Sequence, residues 1–145
     1  MDTSGFSILG IDYVHWYVND AMATAKHLCQ LFGFDTVAYA GHETGCWHAT
    51  SYVLRQGDAR LVVTSENGSE TLETADSPIR RHVLRHGDGV KDIALCVPSA
   101  EEAYKSAVAR GAIPVHALMV LWAEHGLVRC AAIRTYGAPI HSFIE

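Results

Sequence analysis

Several kinds of segment are scarce or missing in this sequence. No apolar run approaches the roughly 20 residues that a membrane span needs, and the start, Met1-Asp2-Thr3-Ser4-Gly5, lacks the basic and apolar regions of a secretion signal. Only 19% of the residues are charged, eleven basic against sixteen acidic. Because a nucleic-acid-binding surface needs a basic excess, we expect a cytoplasmic protein with neither a nucleic-acid partner nor a membrane partner.

Cysteine pairs are missing as well. The four cysteines, Cys29, Cys46, Cys96 and Cys130, lie far apart and form no CxxC pair, so a zinc ribbon or a thioredoxin-type site is not indicated. We expect them to be buried thiols in a reducing compartment. Hydrophobic residues make up 49% of the 145 residues, which predicts one ordered domain over residues 1–145.

The first part of the chain reads as a βαβββ unit, repeat one, at about residues 8–66. Residues 11–18 alternate as in a strand, with Val14, Trp16 and Val18 on one face and Tyr13, His15 and Tyr17 on the other. Asn19-Asp20 can cap a helix over residues 21–32 that Gly33 ends. Three β-rich runs follow, at residues 36–40, 47–56 and 59–65.

The same order returns in repeat two, at about residues 88–145, after a short helix that Asp76-Ser77-Pro78 begins. Residues 90–97 alternate, Pro98-Ser99 opens a helix to Arg110, and strands are predicted at 113–116, 127–134 and 139–144. The two units predict an α+β fold, a curved mixed sheet that encloses a cavity and has its helices outside. Tyr13, His15, Tyr17, Asp92 and Ala94 would then face the hollow, where chemistry would lie.

Eight segments are spread over nearly the whole chain, at residues 11–18, 31–34, 37–41, 43–45, 51–58, 86–94, 124–126 and 133–137. They resemble the opening of 4-hydroxyphenylpyruvate dioxygenases and hydroxymandelate synthases, which belong to the vicinal oxygen chelate superfamily. Those enzymes are about twice this length and hold iron and substrate in their second half. The resemblance therefore implies the fold without the iron site.

Metal-binding members of the superfamily take ligands from the first and last strands of each repeat, which here are Tyr13, Val62, Asp92 and Ser142. Valine cannot ligate a metal, serine and neutral tyrosine are poor ligands, and only Asp92 is an ordinary one. We therefore expect no metal and no cofactor at these places.

His15 and Asp92 are the candidate catalytic residues, because an imidazole near a carboxylate can act as a base near neutral pH. The alternative for His15 is a hydrogen-bonded wall residue. Tyr13 and Tyr17 would offer aromatic surface with hydroxyl groups to a flat ligand, or would only fill the cavity.

Three further candidates for ligand binding are His48, Tyr52 and Ser142. His48 would meet His15 if its strand faces inward, which would also permit a relocated metal site. The apolar run at residues 116–122 stands where the family has a more polar loop, so we expect it to cover the hollow or to form a homodimer contact.

Four functions remain open, because a fold alone does not decide between them. The favoured one is a small enzyme or binding protein that takes an aromatic compound without the family's iron. The others are a metal-dependent dioxygenase or lyase with a relocated site, a resistance-type protein that sequesters an aromatic compound, and a partner or remnant domain with a filled hollow.

Overall fold

The structure is a computed structural model that describes residues 5–68, 77–123 and 126–145. Its described residues form eight strands and three α-helices. In chain order they are β1 (Gly10–Tyr17), α1 (Ala21–Phe32), β2 (Asp35–Ala40), β3 (Ala49–Gln56), β4 (Ala59–Glu66), α2 (Pro78–His86), β5 (Gly89–Cys96), α3 (Ala100–Ala109), β6 (Ile113–Ala123), β7 (Gly126–Arg134) and β8 (Ile140–Ile144). No described helix is long and apolar enough to cross a membrane.

The chain divides into two compact units, each with its own core. The first unit is Tyr13–Lys91, and the second unit combines the residues up to Asp12 with Asp92–Glu145. In the first unit the strand order is β2-β3-β4-β1, with β1 parallel to β4 and the other pairs antiparallel. The second unit repeats this as β6-β7-β8-β5, with β5 parallel to β8.

The predicted α+β class and the βαβββ order of both repeats are confirmed. Equivalent details recur in the two units. The Asp20 carboxylate accepts a hydrogen bond from the Ala23 N–H at the start of α1, and the Ser99 hydroxyl accepts one from Glu102 at the start of α3. Such caps satisfy backbone donors that a helix start leaves unpaired. The Asp76 part of the predicted α2 cap lies outside the described residues, as do Glu124 and His125 of the resemblance.

In the first unit, α1 covers one face of the sheet. Val18, Ala25 and Leu28 pack against Leu54 and Val63, and Trp16 joins this core from β1. The second unit has a matching core in which α3 packs on Phe143, with Leu95 and Val97 beside it. The predicted apolar faces of β1 and β5 are therefore the faces under the helices.

The strand predicted at residues 113–116 was too short, because β6 is an eleven-residue strand that continues through residues 116–122. Its pairing with β7 shifts register between Pro114 and His116 and again before Met119. Proline has no N–H for the ladder, so an irregularity beside it is expected. In its unit β6 pairs with β7 alone, and Trp122 is 86% exposed.

We expect Phe143→Ala to destabilise the fold by about 3–5 kcal/mol, because it removes a buried ring from the second core. Phe143 is 1% exposed and contacts Phe6 edge-on, with 5.0 Å between the ring centres. Urea unfolding measures the loss. Tyr136→Ala is the matched control, since Tyr136 is 96% exposed, and equal effects of the two changes would contradict this core.

Candidate functional site

His15 lies on the face of the first unit's sheet that α1 leaves uncovered. In the parallel pair of β1 and β4 it stands opposite Val62, and Tyr17 stands opposite Thr64. Residues opposite each other on neighbouring strands share a face, and alternation places Trp16 on the other one, in the core under α1. The predicted inward face of β1 is thus supported within this unit.

A chain of three polar side chains runs across this face. The Nε2 atom of His15 is 2.7 Å from the Thr64 hydroxyl, which is in turn 2.7 Å from the Ser51 hydroxyl. Thr64 is buried and the other two side chains are partly buried. Hydrogen bonds in such a setting gain strength from the low local dielectric. His15 is therefore held in place by a hydroxyl that can also exchange a proton with it.

His15 is neutral at physiological pH. Burial lowers the pKa of its imidazole from 6.5 to about 4, and the positive charge of Lys91 adds to this effect. Burial disfavours the charged form, and a nearby cation disfavours a second positive charge. An imidazole in this state offers a lone pair on one nitrogen and a proton on the other.

Aromatic rings flank His15 toward the end of β1. The Tyr17 ring lies edge-on to His15 with 5.2 Å between ring centres, and His82 of α2 lies edge-on to Tyr17 at 5.5 Å. These contacts give the face a rigid aromatic border. Sequence reasoning did not connect His82 with Tyr17.

Asp92 and Ser142 meet in the second unit, as their predicted places on β5 and β8 imply. The Asp92 carboxylate accepts hydrogen bonds from the Ser142 backbone N–H at 3.0 Å and from its hydroxyl at 2.5 Å. Both residues are buried. A buried carboxylate needs such donors, so this pair is first of all a stable polar contact. Asp92 belongs to the second unit and His15 to the first, and their common hollow stays a prediction.

Two predicted ligand-binding residues do not join His15. Tyr52 stands opposite Val63 and packs against the core under α1, so it lies on the other face of the sheet. There it contacts Tyr39, with 5.0 Å between ring centres, and both tyrosines line a cavity of about 480 Å³.

His48 was predicted to lie in a strand that begins at Trp47, but β3 begins at Ala49. Its side chain is exposed, and its carbonyl accepts a hydrogen bond from the Asn67 N–H. The predicted contact of His48 with His15 relied on strand alternation at residue 48. Because β3 begins one residue later, that alternation does not determine the direction of the His48 side chain.

Thr64 and Ser51 are the residues that sequence reasoning missed. Val62 was assigned to the inner face, and alternation along β4 then places Thr64 there as well. Gly57-Asp58 joins β3 and β4 as a two-residue turn that pairs Gln56 with Ala59, and the same count pairs Ser51 with Thr64. The register of this hairpin could therefore have identified Thr64 and Ser51 from the sequence.

The four places where relatives carry metal ligands do not hold an iron donor set. Val62 is aliphatic, Ser142 donates its hydroxyl proton to Asp92, and Tyr13 is a weak donor. Across residues 5–68, 77–123 and 126–145, no three His, Cys, Asp or Glu side chains are grouped to hold a metal ion. These residues do not fit the iron centre of the dioxygenases.

Comparison with known proteins agrees with the fold. No family model matches the chain. It is 38% identical to 4-hydroxyphenylpyruvate dioxygenase of Aspergillus fumigatus and 39% identical to that of Coccidioides posadasii, over 96% and 94% of this chain but 36% of each relative. Its structure is similar to a hydroxymandelate synthase mutant of Streptomyces coelicolor, with a TM-score of 0.82, 29% identity, and coverage of 94% of this chain and 38% of the synthase. The chain is related to 4-hydroxyphenylpyruvate dioxygenases and to proteins of the vicinal oxygen chelate superfamily.

The chain spans little more than a third of the curated relatives that it matches, and not the half that the sequence suggested. Methylmalonyl-CoA epimerase of Mycobacterium tuberculosis shares the fold at its full size. It has a TM-score of 0.70 over all of this chain and 92% of its own, at 15% identity. The superfamily fold therefore also occurs as a protein of this length.

We expect the protein to lose stability as the pH falls from about 6.5 to about 4. Over this range the unfolded chain protonates His15 and the folded chain does not, so the unfolded state binds more protons. The loss from this residue is at most about 3 kcal/mol. Below about pH 4 both states are protonated and the effect levels off.

Urea unfolding between pH 7 and pH 4 measures this dependence. His15→Gln, which keeps a polar side chain that does not titrate, should show a shallower decline than the unaltered protein. His27→Gln, on the exposed surface of α1, is the control and should change nothing. Identical slopes for all three proteins would show that His15 is protonated alike in both states.

Proposed function

We propose that this protein binds or transforms a small aromatic compound without the family's iron site. The observation that carries the proposal is the chain of His15, Thr64 and Ser51 beside Tyr17, on the sheet face away from α1. It combines a neutral base, two hydroxyl groups and an aromatic edge. Ligand sites typically set a few polar groups in such apolar and aromatic walls.

The hydroxyl chain can work in either direction. If Thr64 donates a hydrogen bond to His15, then Ser51 donates one to Thr64, and the Ser51 oxygen is left to accept a hydrogen bond from a ligand. If His15 donates to Thr64 instead, the Ser51 hydroxyl becomes a donor. A phenol suits the first arrangement, and a carboxylate or carbonyl oxygen suits the second.

The ligand class follows from the relatives as well. Relatives named 4-hydroxyphenylpyruvate dioxygenase and a neighbour named 4-hydroxymandelate synthase point to 4-hydroxyphenyl acids. Such a compound carries both a phenol and a carboxylate. We also keep Asp92 as a candidate catalytic residue and Tyr13 as a candidate ligand-binding residue in a single domain of residues 1–145.

No three potential metal ligands are grouped within residues 5–68, 77–123 and 126–145, which favours binding or acid–base chemistry over a dioxygenase or lyase with a relocated metal site. One equivalent of iron in the purified protein, measured by elemental analysis and lost on His15→Ala, would favour that alternative. A sequestering protein would bind the same aromatic acids without turnover. Product analysis after incubation separates it from an enzyme.

We expect His15→Ala to weaken binding or turnover of 4-hydroxyphenylpyruvate or 4-hydroxymandelate at least tenfold, or about 1.4 kcal/mol. Quenching of tryptophan fluorescence measures binding, and thermal melting of both proteins measures stability. Tyr52→Phe is the control, because its hydroxyl lies on the other face of the sheet and its loss should not change affinity. Unchanged affinity with a much lower melting temperature would make His15 a structural residue.

A homodimer through β6 is a second part of the proposal. Val120, Leu121 and Trp122 are exposed in succession on a strand whose outer edge is unpaired within its unit. Long apolar edge strands tend to pair with other chains, and two copies meeting across a two-fold axis would cover each other's edges.

We expect Trp122→Glu to shift the protein from dimer to monomer in sedimentation analysis, because it places a charge in the apolar contact. Leu84→Glu on the exposed face of α2 is the control and should leave the dimer intact. A protein that is monomeric at all concentrations would remove this part of the proposal.

A further inference from the structure

His82 on α2 is a buried imidazole whose ring nitrogens lack a well-formed hydrogen bond. It is 7% exposed, and within the described parts of the chain neither ring nitrogen has a partner at good hydrogen-bond geometry. A buried polar group left in this state destabilises the folded protein. Such a group calls for an explanation, such as a bound ion.

His86 stands four residues later on the same helix. Residues four apart lie on one helix face, and the two imidazole ring centres are 5.2 Å apart with the rings inclined at 53°. His86 is exposed, so it gives the pair an opening to solvent. Pairs of histidines at this spacing on a helix bind zinc in known metal sites.

The separation of the rings matches a shared metal ion. With metal–nitrogen bonds of about 2.0–2.1 Å and a tetrahedral angle, the centres of two coordinating imidazoles lie about 5 Å apart. The observed separation of the ring centres is therefore compatible with one ion bound to a nitrogen of each ring. Binding would also satisfy the buried nitrogen of His82.

We propose that His82 and His86 form a two-histidine site for a divalent transition metal such as Zn²⁺ or Ni²⁺, with water in the remaining positions. The ion would cross-link two side chains of the last turn of α2 and so stabilise that turn. The site is separate from the chain of His15, Thr64 and Ser51, and it does not rest on the proposed aromatic ligand.

The protonation state of His82 suits this role, because only a neutral imidazole binds a metal. Burial lowers the pKa of His82, and the nearby His86 and Lys91 lower it further, while a poorly aligned hydrogen bond with the Gly89 backbone raises it. With two protein ligands the affinity should be well below that of a structural zinc site with four. The site would fill and empty reversibly with metal supply.

Calorimetric titration of the full chain with nickel chloride tests the proposal. Nickel is preferred to zinc here because the chain has four free cysteines, and zinc binds thiolates strongly. We expect one equivalent to bind, and a rise in melting temperature on binding. His86→Ala should weaken binding at least tenfold, and because His86 is exposed this variant should fold normally. His82→Ala should weaken nickel binding to a similar extent.

The controls are His27→Ala on α1 and His15→Ala, both of which should bind nickel like the unaltered protein. Electron paramagnetic resonance with Cu²⁺ should detect two coordinating nitrogens, and one after His86→Ala. No saturable binding, or equal affinity of His86→Ala and the unaltered protein, would overturn the site. Loss of metal with His15→Ala alone would overturn it too, in favour of a metal site on the sheet face.

Discussion

The parallel pairing of the first and last strands of each repeat is the constraint on which the candidate site depends. Backbone bonds at equivalent places, from Val18 N–H to Thr64 O and from Val97 N–H to Ile144 O, hold the two pairs in the same way. Each pair then brings polar side chains together on the face away from its helix. In the first unit they are His15 and Thr64, and in the second Asp92 and Ser142. When the two repeats are aligned on these backbone bonds, Asp92 and Ser142 lie two positions before the equivalents of His15 and Thr64. The same backbone arrangement therefore carries a different pair of polar side chains in each unit.

Much of this architecture follows from local rules. Asp20 and Ser99 are good caps, Gly33 adopts the positive φ of 73° that ends α1, and alternation along β1 separates Trp16 from His15. The hairpin of β3 and β4 shows how far such rules reach. Counting back from the Gly57-Asp58 turn pairs Ser51 with Thr64 and Tyr52 with Val63. That count both finds the hydroxyl chain and removes Tyr52 from it, and it needs the sequence alone. The hairpin register, which follows from the sequence, thus separates Tyr52 from His15.

Other features have no local signal. Tyr17 and His82 are 65 positions apart, and nothing in the spacing predicts that α2 places an imidazole against the β1 tyrosine. The length of β6 is a different case, because Val115, Val120 and Trp122 favour a strand by propensity. The interpretation of that run followed the resemblance to longer enzymes, where a polar loop was expected. A family pattern is least informative where the chain departs from it. At residues 116–122 the strand propensity of the residues would have predicted the structure better.

The state of His15 connects this geometry to function. A histidine with a pKa of about 4 is a weak base, but it is neutral over the whole physiological range and so has one nitrogen that donates and one that accepts. Since Nε2 faces Thr64, a change of tautomer reverses the direction of both hydrogen bonds along Thr64 and Ser51. The Ser51 hydroxyl then changes from acceptor to donor without any movement of the backbone. A group that can serve either end of a hydroxyphenyl acid, or pass a proton between two states of one ligand, needs this property. A charged imidazole would lack it, because both of its nitrogens can only donate. The burial that weakens His15 as a base is therefore what makes the hydroxyl chain reversible.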